Sequence, residues 1–80
     1  MALILKFSKT NCVACDQLAA WLNTNSINFT EINPFDNPEL AGKYRIKTVP
    51  TLLVLDNENI IHRLIGYNPE ELQHILINSK

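Results

Sequence analysis

The chain has 80 residues, which is enough for one small domain spanning residues 1–80 and too few for a second hydrophobic core. Its formal net charge of −1 gives no basis for binding nucleic acid or an anionic membrane surface. The longest apolar run near the N-terminus, residues 2–5, is too short for a signal peptide, and no stretch is long enough to span a bilayer, so we expect a cytoplasmic protein.

The first predicted element is a strand over residues 2–7. These residues are apolar at every position except Lys6, which is typical of a strand covered on both faces in an α/β sheet. Lys6 either extends toward the cysteines that follow and favours a thiolate there, or simply reaches solvent. We expect the second.

A turn over residues 8–11 leads into a helix predicted for residues 12–24. Thr10 or Asn11 can cap this helix, because both side chains accept hydrogen bonds from the free N–H groups of a first turn. Positions i, i+3, i+4 and i+7 of the pattern should face the core, and they are Cys15, Leu18, Ala19 and Leu22.

Both cysteines of the chain lie at the start of this helix. Thiols at positions i and i+3 share one helix face and approach closely enough for a disulfide. Cys12 lies where the unpaired N–H groups and the dipole of the first turn favour an anion, while Cys15 is drawn under the helix. Disulfide exchange needs a reactive thiolate backed by a partner thiol, so the motif predicts redox chemistry.

Two other interpretations of the cysteine pair stay open at this point. The pair can be half of a zinc site, but a structural zinc site needs four ligands. The other candidate ligands, His62 and His74, lie on a predicted strand and a predicted helix without finger-like spacing. The cysteines can also be two unrelated buried residues, in which case their position at a helix start is a coincidence.

A second strand is predicted for residues 27–32, where β-branched and aromatic side chains alternate with polar ones. Strand, helix and strand in this order form a βαβ unit, so the two strands should be parallel with a right-handed crossover. The cysteine pair then lies at the carboxyl edge of the first strand, where open α/β sheets place their sites. A loop over residues 33–38 precedes a short helix that begins at residue 39 and ends at residue 44 or 45.

The next predicted strand covers residues 48–55 and is apolar enough to be buried. Pro50 lies near its start, where a residue that cannot donate a ladder hydrogen bond is tolerated. A cis bond between Val49 and Pro50 would make a sharp entry possible. Residues 60–65 predict the return strand of a hairpin.

The last predicted helix follows a loop at Gly66 and Tyr67. Asn68 can cap this helix, Pro69 suits its first position, and Glu71 completes a pattern similar to a capping box.

The chain resembles the thioredoxin superfamily in its short form, without the additional N-terminal strand and helix of full thioredoxins. The resemblance covers essentially all residues, and it is carried by Cys12-Val13-Ala14-Cys15 after a strand, Thr48-Val49-Pro50 at a strand start, and Gly66 before the last helix. It implies a β-α-β-α-β-β-α thioredoxin fold, with a central four-stranded mixed sheet ordered 2-1-3-4 and helices on both faces.

The resemblance also implies roles for individual residues. Cys12 would be the attacking thiolate and Cys15 the resolving thiol, and the chemistry would need neither a metal nor a bound cofactor. A substrate segment would bind beside the pair, against a cis-proline and a glycine that leaves room for it. The residues implied for that binding are Thr48, Val49, Pro50, Gly66 and Tyr67.

The residue beneath the site departs from the family pattern. Thioredoxins bury an acidic residue at the position that matches Lys6, and a lysine there removes the carboxylate that would assist proton transfer from Cys15. Asp16 is a possible substitute, although a first-turn acid is also simply favourable at the start of a helix.

Several segments resemble different branches of the superfamily. Residues 47–50 are similar to glutaredoxins, and residues 66–70 resemble the Gly-Phe-x-Pro-Asp signature of NrdH-redoxins. The stretch from residues 44–46 through residues 50–53 is closer to thioredoxins. The mixture is typical of small phage and bacterial redoxins.

We therefore predict a monomeric dithiol–disulfide oxidoreductase that reduces protein disulfides, with ribonucleotide reductase as one candidate recipient. The resemblance implies reducing equivalents from thioredoxin reductase and NADPH, or from glutathione. Three alternatives remain: a glutathione-dependent glutaredoxin, a metal-bridged or [2Fe–2S]-bridged carrier with Cys12 as a ligand, and a non-enzymatic adaptor that binds a partner beside Pro50.

Overall fold

The computed structural model describes residues 2–77, and its elements follow the predicted β-α-β-α-β-β-α order. A π-helical turn over Gln73–Ile77 continues the last helix. In chain order the elements are β1 (Ala2–Phe7), α1 (Val13–Thr24), β2 (Thr30–Ile32), α2 (Pro38–Lys43), β3 (Thr51–Asp56), β4 (Asn59–Ile65) and α3 (Pro69–Leu72).

The four strands form one mixed sheet in the order β2-β1-β3-β4, which confirms the predicted 2-1-3-4 arrangement. Strands β1 and β2 are parallel, as the βαβ unit requires, whereas β1–β3 and β3–β4 are antiparallel. The parallel pair thus contributes β1, and the hairpin contributes β3, as the two central strands.

The strand register brings several strand ends to one edge of the sheet. Phe7, the last residue of β1, lies opposite Ile32 on β2 and opposite Thr51 on β3. Thr51 in turn lies opposite Ile65, the last residue of β4. The loops that follow β1, β2 and β4, and the loop that precedes β3, therefore meet at this edge.

Successive side chains of each strand point to opposite sides of the sheet, so the central strands carry apolar side chains on both faces. Helices cover both of these faces. On one face, partly buried residues around α2 pack against Leu5, Phe7, Ile32, Leu53 and Leu55. On the other face, α1 and α3 contribute to a cluster of Leu18, Leu22, Leu52, Leu64 and Leu72. We call these the α2 layer and the α1–α3 layer.

Two strands are shorter than the sequence predicts. Strand β2 begins at Thr30 and not at residue 27, because the N–H of Ile27 donates to the carbonyl of Leu22 at the end of α1, 2.9 Å away. Strand β3 begins at Thr51 and not at residue 48, which places Pro50 just outside the ladder.

Candidate active site

Cys12 is itself the N-cap of α1, so the prediction that Thr10 or Asn11 caps this helix is wrong. Its backbone is extended, with φ −123° and ψ 103°, and its Sγ accepts a hydrogen bond from the backbone N–H of Cys15 at 3.1 Å. Asn11 has a φ of 56°, a left-handed conformation that asparagine tolerates, and so it forms the turn instead of the cap.

The two cysteines form a disulfide, and their Cα atoms are 5.2 Å apart. They differ in exposure: Cys12 is partly exposed, whereas Cys15 is 1% exposed. Only Cys12 therefore presents its sulfur to a large reaction partner, while Cys15 lies beneath the first turn of α1.

Pro50 and Gly66 lie side by side at the same sheet edge. The N–H of Gly66 donates to the carbonyl of Pro50 at 2.9 Å, and the Val49–Pro50 peptide bond is cis. Gly66 has a φ of +79°, which favours glycine, and a Cβ added there would meet nothing within 4 Å. Open space therefore lies on the side of Gly66 where a Cβ would project.

The other residues predicted for substrate binding flank Pro50 and Gly66. Thr48 is exposed and its carbonyl accepts a hydrogen bond from the hydroxyl of Thr51 at 2.8 Å. Val49 is half-buried, and Tyr67 packs partly buried against the α1–α3 layer. The register of β1, β3 and β4 places these loops next to the cysteine loop.

Lys6 does not reach solvent, so that expectation is wrong. Side chains alternate along β1, which places Lys6 on the same face as Ile4, under α1. Its side chain is 2% exposed, and its Nζ donates to Glu31 Oε1. The ammonium also lies 5.9 Å from the centroid of the Phe29 ring.

Glu31 is a residue that sequence reasoning missed. It lies directly opposite Lys6 in the parallel β1–β2 pair, and its side chain is 57% exposed. The hydrogen bond from Lys6 lowers the pKa of Glu31 below its ordinary value of 4.5. The sequence does contain a signal for this pair, because a lysine inside an apolar strand needs a partner and Glu31 is the acidic residue of the adjacent strand.

A cleft of about 490 Å³ opens beneath the cysteine pair, and we call it the Cys15 cleft. Asp16, the possible substitute for a buried acid, is exposed at this cleft. The cleft is lined by Lys6, Ser8, Lys9, Thr10, Cys15, Asp16, Glu31, Asn33, Asp36 and Asn37.

Apolar side chains and a second cleft lie on the surface near the pair. Val13 and Phe35 are each 75% exposed, and Val13 directly follows Cys12. Phe35, Lys47 and Thr48 belong to the lining of a cleft of about 460 Å³ that also includes Val49.

Residues 2–77 contain neither a metal-binding cluster nor a membrane-spanning helix. No three His, Cys, Asp or Glu side chains in this range are grouped so that they would hold a metal ion. No helix in this range is both long and apolar enough to cross a membrane.

The fold and the cysteine pair together define a class of protein: a thioredoxin-fold dithiol–disulfide oxidoreductase. The sequence model of the Thioredoxin family matches residues 1–78. The chain belongs to the thioredoxin family, and it is a protein disulfide oxidoreductase with a Cys-x-x-Cys pair.

Curated relatives agree with this assignment. The chain is 28% identical over 74 residues to the SPbeta prophage-derived thioredoxin-like protein YosR of Bacillus subtilis (strain 168), covering 91% of this chain and 92% of that protein. It is 30% identical over 73 residues to the thioredoxin of the same organism, covering 84% of this chain and 70% of that thioredoxin.

Solved structures show the same fold at low sequence identity. The thioredoxin of Malassezia sympodialis superposes with a TM-score of 0.85 at 19% identity, covering 98% of this chain and 74% of that one. The thioredoxin of Fasciola hepatica superposes with a TM-score of 0.84 at 20% identity, covering 99% of this chain and 81% of that one.

Proposed function

We propose that the chain reduces disulfide bonds of protein substrates, with Cys12 as the attacking thiolate and Cys15 as the resolving thiol. One observation carries this assignment of roles. Cys12 is partly exposed at the start of a 12-residue helix and its sulfur accepts an N–H hydrogen bond, whereas Cys15 is 1% exposed. A sulfur in the position of Cys12 is favoured as an anion and is accessible to a substrate.

The reaction consists of two exchanges. In the first, the Cys12 thiolate attacks one sulfur of a substrate disulfide, the substrate S–S bond breaks, and the other substrate sulfur leaves as a thiolate. In the second, Cys15 loses its proton and attacks Cys12 Sγ, which breaks the mixed disulfide and releases the second substrate sulfur. The substrate disulfide gains two electrons, and the cysteine pair loses two as it forms the Cys12–Cys15 disulfide.

We propose that an extended substrate segment binds over Val49, Pro50 and Gly66, with Thr48 and Tyr67 at its sides. The hydrogen bond between Gly66 and Pro50, and the open space around Gly66, support this groove. The exposed side chain of Val13 offers an apolar contact next to the reacting sulfur.

We propose a thioredoxin-reductase-type flavoprotein, with NADPH, as the electron donor in the cytoplasm. Thioredoxins bind no cofactor and use reducing equivalents from thioredoxin reductase, and membership of that family supports the same donor here. Ribonucleotide reductase is the specific recipient to which the NrdH-redoxin-like residues 66–70 point.

The donor is tested by offering the oxidised protein either thioredoxin reductase with NADPH or glutathione at cytosolic concentration, with insulin as the final disulfide. We expect rapid NADPH-dependent reduction with the flavoprotein and much slower reduction with glutathione. The double variant Cys12→Ser/Cys15→Ser is the inactive control.

Two outcomes would contradict this proposal. A preference for glutathione would make the protein a glutaredoxin and would assign its binding to the cleft that contains Lys47 and Thr48. Failure of both donors, together with unreactive thiols at neutral pH, would favour the adaptor.

A further inference from the structure

A charged pair lies beneath the cysteines, and its two members differ sharply in their contact with water. The side chain of Lys6 is 2% exposed, whereas that of Glu31 is 57% exposed. Water screens an exposed charge far more strongly than a buried one. The field inside the protein near this pair is therefore dominated by the ammonium of Lys6, although the pair as a whole is neutral.

Lys6 is held in this position by its surroundings. Its Nζ donates to Glu31 Oε1, and the ring of Phe29 lies 5.9 Å from the same nitrogen. The hydrogen bond to a carboxylate and the contact with the negative face of the ring both fix the position of the ammonium. The site thus keeps a cation inside the protein, under α1.

The Cys15 cleft connects this cation to the resolving thiol. Lys6 and Cys15 both line the cleft, and both are buried. The other charged side chains that face the cleft, besides Glu31, are Lys9, Asp16 and Asp36, and all three are exposed to solvent. Among the charged residues described for this cleft, Lys6 alone is buried.

We propose that Lys6 is a positioning residue for the resolving step: its buried ammonium favours the thiolate of Cys15 over the thiol, and Glu31 holds that ammonium in place. The inference rests on the proposed role of Cys15 as the resolving thiol. A buried thiol in apolar surroundings resists ionisation, and a nearby cation opposes that effect.

The step balances without any additional reagent. The Sγ–H bond of Cys15 breaks and its proton passes to solvent through the cleft. The Cys15 sulfur then forms a bond to Cys12 Sγ, the bond between Cys12 and the substrate sulfur breaks, and the electron pair leaves with the substrate. Lys6 exchanges no proton and lowers only the free energy of the Cys15 thiolate.

The test is a titration of Cys15 in the reduced full-length Cys12→Ser protein, in which no second thiol titrates beside it, followed by NMR with ¹³C-labelled cysteine Cβ atoms and without any substrate. In Lys6→Met we expect the midpoint for Cys15 to rise by about one pH unit, the size of effect that a neighbouring charge produces. That shift is a roughly tenfold loss of thiolate at a fixed pH below the midpoint. In Glu31→Gln the amide oxygen still accepts the hydrogen bond from Lys6, so the ammonium keeps its position but loses its counter-charge, and we expect the midpoint to fall.

The exposed ion pair between Lys43 and Glu58 provides matched controls. Its nitrogen and oxygen are 3.9 Å apart and both side chains are mostly exposed, so Lys43→Met and Glu58→Gln should leave the Cys15 midpoint unchanged. A Cys15 midpoint in Lys6→Met that equals that of the Cys12→Ser parent protein, or falls, would overturn the proposal.

If Lys6→Met does not fold, Glu31→Gln decides alone: a midpoint that stays or rises would overturn the proposal. Failure of the proposed function is a separate result. In that case the wild type would fail to reduce the disulfides of insulin. The titration does not depend on the insulin assay.

Discussion

Cys12 and Cys15 are chemically identical side chains that the fold places in different surroundings. Cys12 caps α1 and receives the N–H of Cys15, whereas Cys15 is covered by the same helix. The difference in exposure therefore supports the proposed roles of Cys12 as nucleophile and Cys15 as resolving thiol.

Serine substitutions at the two positions should give different phenotypes. Cys12→Ser should abolish disulfide reduction, because no accessible thiolate remains. Cys15→Ser should accumulate a mixed disulfide with the substrate, because the second exchange is blocked. Mass spectrometry of the protein after incubation with a disulfide-bonded substrate distinguishes the two, and full dithiol activity in Cys12→Ser would refute the assignment.

Glu31 should contribute a pH-dependent part of the stability. The hydrogen bond from Lys6 lowers its pKa in the folded state below the ordinary value of 4.5 that applies to the unfolded chain. A carboxyl group with a lowered folded pKa stabilises the fold above the unfolded value, and this stabilisation is lost as the pH falls through the folded value. The stabilisation that Glu31 contributes should therefore be lost at pH values of 4.5 and below.

Glu31→Gln should cost on the order of 1 kcal/mol of unfolding free energy near neutral pH, a small loss because the Glu31 side chain is 57% exposed and water screens its charge. The difference from the wild type should shrink as the pH falls below about 4.5. Urea denaturation of the oxidised protein between pH 3 and pH 7 measures both effects. A difference that stays constant over this range, or an equal loss in Glu58→Gln, would contradict the argument.

At the scale of elements, α3 shows how a local sequence pattern fixes a helix start. The side chain of Asn68 accepts a hydrogen bond from the N–H of Glu71 at 3.2 Å, and Pro69 occupies the first turn. Both features were predicted, because capping depends on side chains within a few residues of each other.

Asn68→Ala should destabilise the protein by about 1 kcal/mol, the usual cost of removing a side-chain cap. Leu72, which is 1% exposed in the α1–α3 layer, depends on this helix start. Chemical denaturation at neutral pH measures the loss. Asn28→Ala, at an exposed loop position, is the control, and an equal loss in the two variants would show that the cap contributes nothing.

The start of α1 and the start of β2 were harder to predict, for physical reasons. A cysteine sulfur is a weak acceptor, so the sequence pattern favoured Thr10 or Asn11 over Cys12 as the cap. The β-branched and aromatic residues before β2 favour a strand, but the N–H of Ile27 bonds to the end of α1 instead. In the first case a weak acceptor took the capping position, and in the second a hydrogen bond to α1 delayed the start of the strand.

At the scale of the whole molecule, two of the three strand pairings follow from general rules, whereas the adjacency of β1 and β3, and with it the full sheet order, is implied only by the family resemblance. A βαβ unit gives parallel neighbours, and a short turn gives an antiparallel hairpin. The Lys6–Glu31 pair did not follow in the same way, because it requires the register of β1 against β2 as well as their adjacency. Adjacency was readable from the order of elements, and register was not.

The register that joins Phe7, Thr51 and Ile65 has a consequence for how selectivity depends on folding. The reactive sulfurs belong to one short segment, and that segment keeps its thiols even in an unfolded chain. The groove that we propose for substrates combines loops far apart in sequence, and it exists only while the sheet is assembled. Partial unfolding would therefore remove discrimination among disulfides before it removed the capacity to reduce them, leaving an indiscriminate thiol reagent.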